Sequence, residues 1–335
     1  LAIAGTQAGA WDAKLTPSRK AVVDAIDADA LKAHVSFLAS DVLGGRNTPS
    51  VGLDVSAEYI AAQFRRAGLD PAGDAGTYFQ NTTYTPKNGT PGKVRNVAGI
   101  LRGSDPKLRD TYILVTAHYD HVGEKTTGEG DLISNGANDN ASGVATVIEL
   151  ANTMVKYKPK RSVVFMTFWG EEKGLLGATH YAKNPLVPIS KTIANVNIEQ
   201  VGRTDDSEGP RVGKLNMTGM DYSEVGAAFT EAGKTVGVPM ERHPQYSDMF
   251  FFASDNAALA AVGIPAHTVS TAYQFPDYHK VGDHWDKLDY ANMAKVVRLI
   301  GLGVMTLADS EREPKWAEIA KTDQYRKAWQ EQRKG

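Results

Sequence analysis

The spacing of hydrophobic positions changes near Asn96. Before it they recur at helical intervals: Asp27 to Ser40 is one candidate helix, and Ile60, Ala61 and Phe64 form an apolar stripe that stops at Gly68. These helices are expected to pack over the outside of a sheet. From Asn96 onward, short β-rich runs alternate with helical ones, the pattern of parallel strands joined by crossover helices. The predicted strands are Val97–Leu101, Tyr112–Ala117, Val163–Phe168, Thr192–Ile198 and Ala266–Val269. Between the second and third, Ala141–Val155 places Val144, Val147, Ile148, Ala151, Met154 and Val155 at helical spacing, and a late helix carries Met293, Val296, Val297, Ile300 and Val304 on one face. Glu313 to Gly335 is charged and reads as a surface helix or a frayed tail. No internal repeat or low-complexity stretch interrupts this order, so one main α/β domain is the simplest reading.

Composition narrows the chemistry. The 335 residues include 37 basic and 39 acidic side chains, a formal net charge of −2, and no sustained basic stripe. Neither nucleic acid nor a membrane surface is therefore an expected partner. No apolar run approaches the roughly 18 residues of a membrane span. Cysteine is absent, which removes disulfides, thiolate metal sites and thiol nucleophiles together, so any metal must sit on His, Asp and Glu. The small, apolar stretch Leu1 to Ala10 suggests a processed product, and a secreted or periplasmic bacterial protein whose signal peptide has been removed is the expectation.

Ligands of open α/β sheets bind beyond the carboxyl ends of the strands. There, strand 112–117 runs into His118-Tyr119-Asp120-His121, strand 163–168 into Trp169-Gly170-Glu171-Glu172, and strand 192–198 into Glu199. Asn138-Asp139-Asn140 precedes a helix for which Asn140 is a natural N-cap. Taken singly, a His after a strand or a pair of glutamates on a turn is more often structural. Convergence is different: several carboxylates at one rim repel unless cations sit between them. A set of carboxylates and imidazoles without thiolate suits catalytic zinc, or manganese or cobalt. Asp139 could bridge two ions, and Asp120 is placed to orient His118. Residue chemistry alone does not separate Glu171 from Glu172, or His279 from His284. His121, His180, His243 and His267 read as surface or satisfied core residues. Phe250–Phe252, Tyr273 and Phe275 could line an apolar pocket or simply pack in the core. No H-E-x-x-H or G-x-S-x-G motif is present, and Glu231 to Thr235 lacks the earlier glycine of a phosphate loop.

Six motifs together resemble the co-catalytic dinuclear zinc aminopeptidases, a family that includes secreted bacterial leucyl aminopeptidases, glutamate carboxypeptidase and glutaminyl cyclase. They are TAHYDHVG from Thr116, NGANDNASGVA from Asn135, FMTFWGEEKGLLGA from Phe165, NVNIEQVGR from Asn195, FFFASDNAALAAVGIPA from Phe250 and DYHKVGDHWDKLDY from Asp277. With LKAHVSFLASD they span most of residues 30 to 305. The resemblance implies a three-layer α/β/α sandwich with a central, mostly parallel mixed sheet. It further implies an N-terminal extension over 1–29, a zinc-peptidase domain over 30–310 without an inserted lid domain, and a C-terminal helix or tail over 311–335.

Carried over residue by residue, the resemblance makes His118 and Glu199 ligands of one zinc, Glu172 and His279 ligands of a second, and Asp139 the bridge. The family often has Asp where this chain has Glu199. Glu171 takes the place of the general base, Asp120 that of the acid behind His118, and Tyr278 that of a tyrosine donating to the tetrahedral intermediate. The implied partner is a peptide with a free N-terminus, cleaved by metal-assisted hydrolysis. Carboxypeptidase, cyclase and non-catalytic relatives share the fold, so they are the alternatives.

Overall fold

The protein is described here by a computed structural model covering residues 11–87 and 89–334. Leu1 to Ala10, on which the expectation of a processed product rests, lies outside the described residues.

Among the described residues nine strands form one mixed sheet: β1 (Asp70–Pro71), β2 (Phe79–Tyr84), β3 (Gly92–Leu101), β4 (Tyr112–His118), β5 (Ser162–Phe168), β6 (Thr192–Ile198), β7 (Leu215–Met217), β8 (Met240–Glu241) and β9 (Ala266–Ser270). Their spatial order is β1-β3-β5-β4-β6-β9-β7-β8, with β2 pairing on β3 beside β1. The centre is parallel, β5 with β4, β4 with β6 and β6 with β9, while β3 and β7 run antiparallel to their inner neighbours. The five strands predicted from sequence are all present, and β3 starts earlier than expected, at Gly92. The strands missed are β1, β2, β7 and β8. Three of them have only two or three residues, and β2 alternates polar side chains along the outer edge of β3, so none presents the continuous apolar run of a strand covered on both faces.

The helices are α1 (Pro17–Ala25), α2 (Ala28–Leu38), α3 (Val51–Ala67), α4 (Ser142–Met154), α5 (Leu176–Lys183), α6 (Glu224–Val236), α7 (Tyr246–Met249), α8 (Asn256–Ala261), α9 (Tyr290–Asp309) and α10 (Asp323–Glu331). Alternate residues of the central strands feed two separate cores. Ile113, Val115, Val163 and Phe165 meet α1–α4, α6 and α9 on one face, and Leu114, Val164, Met166 and Phe168 meet α5, α8 and α10 on the other. Each such side chain contributes roughly 1.5–3 kcal/mol on full burial, so the strands are pinned in register from both faces. Helix ends follow the sequence signals. The Asp27 carboxylate accepts from Asp29 and Ala30 N–H to cap α2, and Gly68, at φ 86°, ends α3. Twenty-residue α9 is apolar and long enough to span a membrane, but 83% of its most apolar window is buried within the fold, where it packs as a core helix. The charged C-terminal segment docks: the Trp316 indole donates to Gly263 O at 2.8 Å and stacks on Tyr325 of α10.

The chain leaves β4, crosses through α4 to β5 on one side, then returns through α5 to β6 on the other. The crevice where strand order reverses lies at the carboxyl end of β4, and His118 is its last residue.

Candidate metal centre

Strand register decides which side chains meet. Thr116 of β4 lies opposite Asn197 of β6, so His118 and Glu199, each two residues further on, leave the sheet side by side. His118 also lies opposite Phe168, three residues before Glu171. Beyond Phe168, Gly170 takes φ 68° and turns the chain so that Glu171 and Glu172 come back over the strand ends. Asp139 comes from the buried turn Ala137–Ala141 that leads into α4, and His279 from the loop after β9, at φ 54°.

Two groups of donors result: His118, Glu171 and Glu199, and His121, Asp139, Glu172 and His279. Asp139 divides its carboxylate between them. Its Oδ1 is 3.3 Å from His118 Nε2, and its Oδ2 is 3.1 Å from His279 Nε2. His118 Nε2 stands 3.7 Å from Glu199 Oε1, and His279 Nε2 stands 3.1 Å from Glu172 Oε2. Tetrahedral zinc with ligand bonds near 2.0–2.1 Å holds its ligand atoms roughly 3.3 Å apart. The spacing, together with an oxygen and nitrogen donor set, fits one divalent ion on each side of Asp139. His279 joins the cluster. His284 does not: its Nε2 faces Asp131 at 3.4 Å and its Nδ1 faces the Asn135 amide.

The crowding of acids shows in their proton affinities. Burial raises the Glu199 carboxyl to about 7, against the pull of His118. Burial also lifts Glu171 well above the ordinary carboxylate range, with Glu199, Asp255 and Glu172 adding to the effect. Burial opposes a charge on His118 and His279, but the surrounding carboxylates outweigh it. They hold His118 well above its usual value and His279 at about 10. Asp255, fully buried with neither oxygen hydrogen-bonded among the described residues, is raised in the same way. Positive charge is what this crevice lacks.

The supporting contacts are specific. Asp120 Oδ1 accepts from Glu171 N–H at 3.0 Å and Oδ2 accepts from the Thr48 hydroxyl at 3.2 Å. His118 Nδ1 is nearer the Asp120 carbonyl, at 3.2 Å, than its carboxylate, at 3.6 Å. Asp120 thus meets His118 through its backbone and spends its carboxylate on Glu171. Asn138 Oδ1 accepts from Gly202 and Arg203 N–H, both at 2.9 Å. The helix α4 begins at Ser142, one residue later than an Asn140 cap implies. Asn140 Oδ1 nevertheless accepts from Gly143 N–H at 3.0 Å, while its amide donates to Ile198 O at 2.9 Å. The two asparagines flanking Asp139 therefore lash its turn to the end of β6. The Ser254 hydroxyl donates to Glu199 Oε1, and Asn197 holds Ser254 at 2.7 Å.

Three contributors had no sequence signal. Arg46, buried, donates to the carbonyls of Leu38, Tyr119, Asn135 and Gly136, tying the loops that carry His118 and Asp139; burial lowers its pKa to about 10. Asp283 accepts from the backbone N–H of Asn138 and Asp139 at 3.0 Å, and burial raises it to about 6. His121 is the third. It was expected at the surface or in a satisfied core, but it lies within the donor cluster, its Nδ1 2.9 Å from Glu172 Oε1. Of the other unassigned histidines, His267 is a satisfied core residue and His180 is partly exposed. His243 is buried, its Nδ1 accepting from Tyr246 N–H at 3.1 Å.

Beside Glu199 opens a cavity of about 130 Å³ lined by Phe250, Ser254, Tyr273, Gln274 and Tyr278. Phe250 and Tyr273 thus face the site rather than only the core. Tyr278 stacks on His279 at 4.0 Å between ring centres. Its phenol is held protonated by burial and the nearby acids. Larger clefts of about 720 and 760 Å³ lie along α1, away from these donors.

The model of peptidase family M28 matches residues 96–303, which include every donor named above. The chain belongs to that family. Among curated relatives, a probable zinc metalloprotease of Pyrenophora tritici-repentis is 27% identical over 75% of the chain and 57% of its own length. Aminopeptidase YwaD of Bacillus subtilis is 32% identical over 39% of the chain and 27% of its own length. The chain spans about two fifths to three fifths of the length of the first curated relatives it matches. Among solved structures, an aminopeptidase from Aneurinibacillus sp. strain AM-1 superposes with a TM-score of 0.67 at 18% identity, covering 90% of this chain and 97% of that one. A zinc aminopeptidase from Bacillus subtilis gives 0.67 at 18% identity, covering 86% and 96%. The M28 peptidase fold is thereby established for the chain.

Proposed function

We propose that the protein is a two-zinc aminopeptidase. The observation that carries this reading is the divided carboxylate of Asp139, with one imidazole and one glutamate completing each side and a further glutamate, Glu171, beside them. His118 and Glu199 would hold one ion and Glu172 and His279 the other, with Asp139 shared; manganese or cobalt would suit the same donors. Bound zinc would supply Lewis acidity towards the scissile carbonyl and towards water.

The chain's own groups do the rest. Glu171, with its raised proton affinity and its backbone fixed by Asp120, accepts a proton from the attacking water and delivers it to the leaving amine. Tyr278, protonated at neutral pH, donates to the oxyanion that forms on the substrate carbonyl. The aromatic cavity beside Glu199 takes the substrate's first side chain. The solved aminopeptidases with this fold support the choice of peptide end.

The test is hydrolysis of short peptides, with free or acetylated amino termini, by metal-free and zinc-restored protein, the products being identified by mass. Release of the first residue only, from free-amine peptides and only with zinc, is expected. Release from the carboxyl end regardless of acetylation would overturn the aminopeptidase reading.

A further inference from the structure

His121 is fully buried and, like His243, has one ring nitrogen unpartnered among the described residues, but its other nitrogen alone faces a carboxylate of the donor cluster. In His267 both ring nitrogens are engaged, with Ser223 Oγ at 2.6 Å and Thr218 O at 2.9 Å. His121 engages one. Its Nδ1 is 2.9 Å from Glu172 Oε1, while its buried Nε2 has no hydrogen-bond partner among the described residues. A carboxylate only accepts, so Nδ1 is the donor.

The ring is fixed in place. His121 N–H donates to Arg46 O at 3.2 Å, and a Cβ at Gly136 would fall 2.4 Å from the ring Cγ, so backbone packs flat against the imidazole. His279 meets it edge-on at 5.5 Å. The contact also divides the labour of Glu172. Oε1 goes to His121, while Oε2, 3.1 Å from His279 Nε2, faces the point that His279 and Asp139 share. His121 Nδ1 itself lies 3.9 Å from Asp139 Oδ2.

We infer that His121 is a positioning residue for the second ion site: it fixes Glu172 through Oε1 so that Oε2 alone is presented to the ion. A glutamate side chain has three rotatable bonds and two equivalent oxygens, and a fixed donor on one oxygen selects a single presentation. Loss of such an outer partner typically weakens metal affinity about 10–100-fold. The inference rests on the ligand assignment proposed above for Glu172 and His279.

The experiment is stepwise zinc binding, measured against a competing chelator, for the parent, H121F, H121N and H279A. H121F keeps ring volume against Gly136 without a donor, and H121N keeps a donor near the position of Nδ1. Expected are an about 10–100-fold weaker second zinc in H121F with the first unchanged, and restoration to within a few-fold of the parent in H121N. Parent-like binding of both ions by H121F overturns the inference, as does an H121N no better than H121F. If H279A loses the second zinc while H121F does not, only the role of His121 fails. If H279A keeps both ions, the ligand assignment itself fails. Imidazole ¹⁵N shifts of the cadmium-113-loaded parent give a readout that needs no variant. A protonated Nδ1 without coupling to cadmium is expected, and a cadmium-coupled Nδ1 would make His121 a ligand and overturn the positioning role.

Discussion

The two ends of the Asp139 carboxylate face differently constructed surroundings. On the Oδ1 side, His118 and Glu199 end adjacent central strands and are almost wholly buried, at 1% and 9% exposure. Strand register places them, and Asn197 with Ser254 braces the longer arm of Glu199. On the Oδ2 side, Glu172 is equally buried, its side chain 5% exposed, but sits on a turn, and His279, with its side chain 37% exposed, sits on a loop at positive φ. No strand register reaches that far. Geometry there depends on individual contacts: the stacked ring of Tyr278, the imidazole of His121 and the clamp of Asp283 on the Asp139 turn. One side is a property of the sheet, and the other is assembled from loops.

The largest effect should come from a residue that is a ligand on neither side in the assignment proposed above. Glu171→Gln is expected to lower turnover about 10²–10⁴-fold while both zinc ions remain bound, measured by peptide hydrolysis and metal analysis on the same sample. Loss of zinc in that variant would break the separation of base from ligands. Next, His279→Ala is expected to lose one of two zinc ions and leave the strand-borne side loaded, whereas His118→Ala disturbs the side built on the sheet. Equal losses in the two variants would erase the contrast.

The effect of pH sharpens it further. In the metal-free protein Asp139 and Glu172 hold the proton on His279 up to about pH 10, so zinc must displace it. Affinity on the loop-borne side should rise about tenfold per unit as pH increases towards that value, with proton release detectable by calorimetry in buffers of different ionisation enthalpy. The corresponding linkage to folding runs the other way. A histidine whose pKa is raised from 6.5 stabilises the metal-free fold fully below pH 6.5, and that contribution is lost as pH rises through 10. The smallest expected effect is that of Ser254→Ala, which removes the hydroxyl from Glu199 and should cost about 1–2 kcal/mol in thermal or denaturant unfolding of the metal-free form.

The central strands were readable because burial on both faces writes an unbroken apolar run, as in Val163–Phe168, and the helix limits because Asp27 and Gly68 act locally. Most of the side chains that the crevice brings together were readable because His118, Glu171, Glu172 and Glu199 follow strand ends, and Asp139 and His279 lie in motifs that resemble a known family. His121 was not, although it sits inside one of those motifs: its partner Glu172 is 51 positions away and only the turn at Gly170 brings them together. Arg46 and Asp283 escaped for a related reason. They act on backbone groups, which carry no side-chain identity, so no spacing between residue types marks them. The edge strands β7 and β8 are too short to establish a period at all.

Asp283 reaches back to the backbone of Asn138 and Asp139 from near the far end of the chain. This has a consequence for the timing of synthesis. A nascent chain that has emerged only as far as Ala272 already carries His118, Asp139, Glu171, Glu172 and Glu199, but neither His279 nor the carboxylate that pins the Asp139 turn. The turn that carries Asp139 can therefore be pinned only after every strand of the described sheet has been made.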